Sequence, residues 1–267
     1  MTDIKAVLCL DIDGTLTDEK EQIHPSDRHI LAHFPGAIQP LFTTGRNLHS
    51  AKGVLQANGI FKQQPLPLPG VFMNGGLAYL PNEIKTIEHI FQRQTRKALL
   101  DCTSAFPQTS FAFFSVSEVY LLNPNPFAQH ISRIHYLDAQ DAAIDAIPDE
   151  VIKVMIIEQD DSKIEGIQSA LEPLNAEKAF SLSYLYEINP PGVTKANTLK
   201  AFLVKLGLDG LPVYAAGDGQ NDLTLFNLAQ HRFAPDTAHP AVLAKADEVI
   251  QRRQEGMLAP ILSYLGI

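Results

Sequence analysis

Only two cysteines, Cys9 and Cys102, occur among 267 residues. Two thiols build neither a disulfide framework nor a thiolate metal site, so the expected compartment is a reducing cytosol. Cys9 lies inside an apolar run and is expected to pack as a small hydrophobe. The N-terminus lacks a basic segment followed by an apolar stretch, so no signal peptide is expected. No apolar run is long enough to span a bilayer, which gives a soluble, cytoplasmic chain with no membrane partner as the expectation. Positive charge is short as well: 21 Lys and Arg stand against 30 Asp and Glu, a net charge of −9, with no basic run or stripe. Nucleic-acid binding needs cations along the phosphates, so that class of function is set aside. A local positive site for a small anion stays open, because net charge says little about one pocket. The nine histidines show no close metal-ligand spacing, and there is no internal repeat and no low-complexity segment.

What remains is the composition of an ordinary globular protein, 45% apolar and 19% charged, with length enough for one large domain or two modest ones. Apolar runs at 6–10, 38–42 and 70–73 alternate with helix candidates at 26–34 and 47–58, the second stopping at Gly59. The pattern resumes with a helix over 194–206, a run at 213–216 and a helix from Asn221. Short strands near 232–234 and 248–250 and a final helix around 256–265 follow. Strands alternating with helices predict a Rossmann-like parallel sheet covered on both faces. Between these segments, 111–114, 119–122, 152–157 and 180–188 read as strands, with helix candidates at 92–105, 126–135 and 162–172. Segregated strands predict an α+β unit with a partly antiparallel sheet. Pro81-Asn82 and Pro190-Pro191-Gly192 bracket it. The expected organisation is an α/β core from residues 1–81 and 188–267 with residues 82–187 inserted.

Three of the expected parallel strands end in polar clusters. Asp11-Ile12-Asp13-Gly14-Thr15-Leu16 follows the first, Thr43-Thr44-Gly45-Arg46 the second, and Gly217-Asp218-Gly219-Gln220-Asn221-Asp222 the strand at 213–216. Ligands of open α/β sheets bind outside the carboxyl ends of the strands, so neighbouring strands would bring these clusters together. Asn221 and Asp222 open a helix, whose free N–H groups and dipole favour an anion. Lys195 starts another helix. Two like charges about 4 Å apart repel by roughly 4 kcal/mol at an effective dielectric near 20. Four carboxylates in one pocket therefore call for cations, and a hard divalent ion such as Mg²⁺ beside substrate phosphate is the natural one. Carboxylates, a lysine, a hydroxyl and a helix N-terminus together fit phosphoryl transfer, where catalysis is mainly positioning and charge neutralisation.

These motifs, in this order and with Gly192-Val193-Thr194-Lys195 as the third of four, resemble the haloacid dehalogenase superfamily of aspartate-nucleophile phosphatases, and its Cof-type branch in particular. Asn74-Gly75-Gly76 resembles the turn that leads into that branch's large inserted α/β cap. The stretch Ala234-Pro235-Asp236-Thr237-Ala238-His239-Pro240 follows the branch's pattern too, with Thr237 where the branch often has Asn. The resemblance implies that Asp11 is a nucleophile forming an aspartyl-phosphate, and that Asp13 is the general acid/base. It implies Mg²⁺ held by Asp11, the Asp13 carbonyl and Asp218, with Asp222 ordering the shell, and a phosphoryl group held by Thr44, the Gly45 amide, Lys195 and Asn221. The expected activity is hydrolysis of a small phosphorylated metabolite, a sugar phosphate by analogy. Rival readings are a sugar phosphomutase, a phospho-acceptor regulatory domain and a non-catalytic sugar-phosphate sensor.

Read alone, several of these residues have plainer roles. Asn74-Gly75-Gly76 reads as a hinge, His130 and His135 as cap surface, and Phe111, Phe113, Phe114 and Tyr120 as cap core. Tyr184 and Tyr186 share one side of an expected strand but are not assigned to the cleft.

Overall fold

The computed structural model describes residues 4–60, 68–81 and 83–267; Asn82, one of the expected breakers, lies outside them. The chain begins β1 (Ala6–Leu10), α1 (Pro25–Ala32), β2 (Ile38–Thr43), α2 (Leu48–Ala57), β3 (Gly70–Phe72), β4 (Leu77–Leu80) and β5 (Glu83–Glu88). It continues through α3 (Arg93–Ala105), β6 (Ser110–Phe114), β7 (Val119–Leu122), α4 (Pro126–Ile134), β8 (Ala139–Asp141), β9 (Lys153–Ile157), α5 (Asp161–Leu171), β10 (Glu177–Leu182) and β11 (Leu185–Asn189). It closes with α6 (Lys195–Leu206), β12 (Val213–Ala216), α7 (Leu223–Leu228), β13 (His231–Pro235), α8 (Pro240–Leu243), β14 (Glu248–Ile250), α9 (Arg252–Glu255) and α10 (Leu258–Tyr264).

One sheet runs β14-β13-β12-β1-β2-β3-β4-β5, parallel as far as β3 and antiparallel from there on. β1 is buried along its whole length because both faces are covered, and its side chains divide between them with the two-residue period of a strand. Leu8 and Leu10 pack with Ala51, Val54 and Leu55 of α2 and Leu258 and Ile261 of α10. Val7 and Cys9 pack with Leu199 and Phe202 of α6. Cys9 thus behaves as the small hydrophobe expected of it. Strand order reverses at β1, with β2 on one side and β12 on the other, so the crevice for a ligand opens at the carboxyl end of β1.

The second sheet runs β10-β11-β9-β6-β7-β8, with one parallel pair, β7 and β8. Phe111, Phe113, Val154, Ile156, Tyr186 and Ile188 face α3 and α5. The alternate residues, Ala112, Phe114, Met155 and Leu185, share a cluster with α4 and with the first unit. The unit therefore lies over the first sheet with an apolar face inward.

The expected boundary after residue 81 lies in the β4–β5 hairpin, where β5 pairs with β4 in the first sheet. Two readings from sequence change. The single strand expected over 180–188 is a hairpin, β10 and β11, turning at Ser183-Tyr184. No glycine, proline, Asn or Asp marks that turn, so the apolar run read as continuous. Phe114 leaves the inserted unit's own core, because alternation sends it to the face opposite Phe111 and Phe113.

Helix starts are fixed by side chains that accept from otherwise unpaired amides. Asn47 accepts from the Ser50 amide at 2.7 Å, Asn125 from Ala128 at 2.8 Å and Thr194 from Asn197 at 3.1 Å. The last of these sets the first residue of α6, Lys195, against the end of β1.

Candidate active site

Asp11 and Asp218 follow β1 and β12, strands paired in register from Val7–Val213 to Leu10–Ala216. That register carries both chains to the same end of the sheet. Asp11 is buried, and Lys195 Nζ lies 2.7 Å from Asp11 Oδ1 and 2.7 Å from Asp222 Oδ1. The lysine is itself buried, at 1% exposure, so it is a fixed counter-charge rather than a solvated helix residue. Burial alone would lower its pKa, but Asp11 and Asp222 outweigh burial and raise it. Burial pushes the Asp11 carboxyl well above the usual range; Lys195 draws it back, while Asp222, Asp218 and Asp13 push it further. Asp218 is raised by burial and then by Asp222, and Thr15 Oγ1 donates to it at 3.1 Å. Asp222 Oδ2 accepts from the Asp218 and Gly219 amides, each at 3.1 Å. With its other oxygen on Lys195, Asp222 has its acceptors engaged and orders the loop.

One carboxylate oxygen from each of Asp11, Asp218 and Asp222 lies within 4.8 Å of the others. Hard oxygen donors around a shared space suit a divalent cation of the Mg²⁺ type; the Asp11 and Asp218 carboxyls are raised by burial first and by their acidic neighbours second. Gly14 allows this approach: its φ is +70°, and a Cβ there would stand 2.1 Å from Asp218 Oδ2.

Asp13 has a different environment. Arg46 Nε donates to both its oxygens, at 3.0 and 2.9 Å, and Nη2 donates to Oδ1 at 2.6 Å. Burial would raise its pKa, but the Arg46 charge and hydrogen bonds prevail and lower it. The same guanidinium reaches Glu21 at 2.6 Å, Ser50 Oγ at 2.9 Å and the His135 carbonyl at 3.3 Å. Two neighbouring carboxylates are thus driven apart: burial and the surrounding carboxylates push Asp11 up despite Lys195, while the arginine fork holds Asp13 down.

Thr44 is buried, and its Oγ1 accepts from the Arg46 amide at 3.1 Å. Gly45 and Asn221 line a cavity of about 110 Å³ together with Asp11, Asp13 and Asp218. Asp11, Asp13, Asp218, Asp222, Lys195, Gly45 and Asn221 therefore meet around one crevice, with Thr44 buried in the loop beneath it.

The roof of the cavity comes from the second sheet: Phe114, Lys153, Met155, Leu185 and Glu187. His135 lines it as well, 3.2 Å from Glu21, so it faces the first unit instead of the surface expected for it; His130 is exposed as expected. Tyr184 sits in the β10–β11 turn with its hydroxyl 3.5 Å from His135 Nε2, and Tyr186 packs in the second unit's core. Lys153 and Glu187 were not singled out from sequence, and Arg46 was quoted in the second motif without a role. The available signal was a lone charge interrupting the apolar run Ile152-Lys153-Val154-Met155-Ile156-Ile157. Such a charge is costly unless it is paired.

A family model described as haloacid dehalogenase-like hydrolase matches residues 8–262. The chloroplastic endoribonuclease YBEY of Arabidopsis thaliana is 25% identical over 280 residues, 95% of this chain but 45% of that protein. The chain thus spans under half the length of that relative. The putative phosphatase YxeH of Bacillus subtilis (strain 168) is 23% identical over 248 residues, 90% of this chain and 91% of that protein. The solved structure of the subclass IIB sugar phosphatase BT4131 has a TM-score of 0.80 at 19% identity, covering 98% of this chain and 99% of that one. At that identity the likeness carries the fold.

Proposed function

Since the chain belongs to the haloacid dehalogenase-like hydrolases, we propose that it is a Mg²⁺-dependent phosphatase that works through an aspartyl-phosphate. Its substrate in this reading is a small phosphorylated metabolite of the sugar-phosphate class. The observation that carries the reading is the buried Asp11–Lys195–Asp222 triad beside Asp218, at the switch point of the sheet. Asp11 and Asp218 have the donors to hold the cation, with the Asp13 carbonyl as a third. When bound, Mg²⁺ neutralises charge on the phosphoryl oxygens and lets a carboxylate approach phosphorus. Similarity to a phosphatase and to a sugar phosphatase supports the activity and the substrate class.

Asp11 attacks phosphorus, and the bond from phosphorus to the leaving oxygen breaks. The Gly45 amide, Asn221, the Thr44 hydroxyl and Lys195 hold the phosphoryl oxygens. Asp13 gives its proton to the leaving oxygen, then takes one from the water that attacks the aspartyl-phosphate and frees phosphate and Asp11. With its carboxylate on Arg46, Asp13 is ionised, the form required for the second half. The first half requires a proton on one of its oxygens, the other remaining on the guanidinium.

We propose that the inserted cap begins beyond β5, because β5 pairs in the core sheet, and that it closes over the leaving group and excludes water. Among the described residues no helix is long and apolar enough to cross a membrane. Two free, buried cysteines accord with the cytosolic location we propose.

The test is Asp11→Asn assayed by phosphate release across phosphorylated sugars, nucleotides and cofactors, without a bisphosphate activator. The native protein releases phosphate and the variant does not, while circular dichroism stays native. Native-like hydrolysis by the variant sinks the mechanism, and isomerisation without phosphate release makes the protein a mutase.

A further inference from the structure

We propose that the buried Lys153–Glu187 pair of the cap, acting through Asn74, is a positioning device that couples cap closure to the seating of the phosphoryl group. The inference rests on the reading of Gly45 and Asn221 as phosphoryl-binding residues. Lys153 and Glu187 are 2% and 5% exposed, on β9 and β11. Glu187 pairs with Met155 across the two strands, and Lys153 lies two residues before Met155. The period of the strand therefore turns both charges toward the core.

Their partners form one continuous chain. Lys153 Nζ lies 2.6 Å from Glu187 Oε1 and donates to the Gly45 carbonyl at 2.8 Å. Asn74 Nδ2 donates to Glu187 Oε2, and Asn221 Nδ2 donates to Asn74 Oδ1 at 3.1 Å. The chain begins at one expected phosphoryl ligand, crosses the cap, and ends at another. Gly45 fits against it closely, since a Cβ there would stand 3.1 Å from Asn74 Oδ1 and 3.3 Å from Glu187 Oε2. Asn74 adopts a left-handed φ of +55°, a conformation that Asn tolerates better than most residues. Asn74 is thus a link in the site rather than a plain hinge residue.

The energetics give this chain a function beyond stapling two units. With the cap away, both charges meet water. With the cap down they lose it, and the loss is offset only if the Gly45 carbonyl and Asn74 stand where the pair needs them. Closure is therefore favoured by the arrangement of the Gly45 and Asn221 loops that also receives a phosphoryl group. By linkage, a phosphoryl group that fixes those loops favours closure by the same factor. A saturated substrate phosphate and a closed cap become one event, and water is excluded when the reactant is seated.

The probe is inorganic phosphate with Mg²⁺, titrated calorimetrically into the full-length protein. Asn74→Gly removes the link from Glu187 to Asn221 while permitting the left-handed backbone, and leaves the ion pair whole. Lys153→Met/Glu187→Leu replaces the pair by apolar groups of similar volume, a change that buried pairs often tolerate. Each is expected to weaken phosphate binding by a factor within the usual range of coupling, about 5- to 150-fold, with KM for a phosphoester rising in step. Lys153→Arg, which keeps the charge, is expected to recover part of the loss. Native phosphate affinity in a folded Asn74→Gly protein overturns the coupling and leaves the pair a staple, whatever the double variant does. Failure of the native protein itself to bind phosphate overturns the inference together with the phosphatase reading.

Discussion

Replacing Arg46 by lysine keeps the charge and removes the fork, and so isolates what the guanidinium geometry contributes to Asp13. Arg46 engages Asp13, Glu21, Ser50 and the His135 carbonyl at once, with its side chain 5% exposed. A lysine ammonium has three donors from a single nitrogen and cannot grip a carboxylate in the plane of both its oxygens. Two charged hydrogen bonds are lost in the replacement, each worth about 1.5–3 kcal/mol when buried. The Asp13 side chain is 43% exposed, so water recovers part of that, and roughly 2–3 kcal/mol remains. Global stability of about 5–15 kcal/mol leaves such a variant folded. Urea unfolding followed by circular dichroism measures the loss; the chain has no tryptophan to report it. General acid–base catalysis contributes about 10²–10⁴-fold, and a loosely held Asp13 is expected to forfeit about tenfold in kcat with KM little changed. An Arg46→Lys protein within about 0.5 kcal/mol of native stability and within about twofold in kcat would refute the claim that this fork positions Asp13.

Chelation is expected to stop phosphate release and Mg²⁺ to restore it, with a rise in melting temperature equivalent to about 2.7 kcal/mol at a hundredfold excess over Kd; full activity in a verified metal-free sample counts against the carboxylate site. Asp27 is fully buried and accepts from the Met257 and Leu258 amides, both at 2.8 Å, joining α1 to the start of α10. Asp27→Ala strands both amides and is expected to cost about 2–4 kcal/mol in urea unfolding, and a loss under about 1 kcal/mol contradicts that role. Burial pushes the Cys9 thiol up to about 12 and the Cys102 thiol up to about 11. At pH 8 both stay protonated, so a disulfide reagent is expected to label the native protein slowly and both thiols only in denaturant. Rapid labelling of the native state contradicts their burial.

The alternating core was legible because each parallel strand is an apolar run closed by a polar cluster, and those clusters are the site. Asp11 and Asp218 could be brought together on topology alone, since strands on either side of a switch point share one end; Lys195, at a helix start, joined them through the resemblance. The β4–β5 hairpin was hidden by its place beside an expected domain boundary. β8 was hidden because it is short and faces outward, with no apolar alternation to mark it. The cap's contribution was illegible for another reason. A lysine or glutamate in a strand reads as a solvated face, and whether that face is covered depends on a unit distant in sequence. Lys153 and Glu187 acquire their meaning only from Gly45 and Asn74, more than a hundred residues earlier.

The central strand β1 takes one neighbour from the segment that follows it and the other, β12, from beyond residue 212. During synthesis, residues 1–190 emerge with one long edge of β1 unpaired and its buried aspartate without a lysine, while every strand of the cap sheet is already available. All strands of the second sheet precede β12 in the chain, so the first sheet is the later of the two to be completed. Until then β1 is an open template for any other strand, the kind of exposed edge that invites misassociation. A chain halted near residue 200 therefore still carries that edge of β1 without its β12 partner.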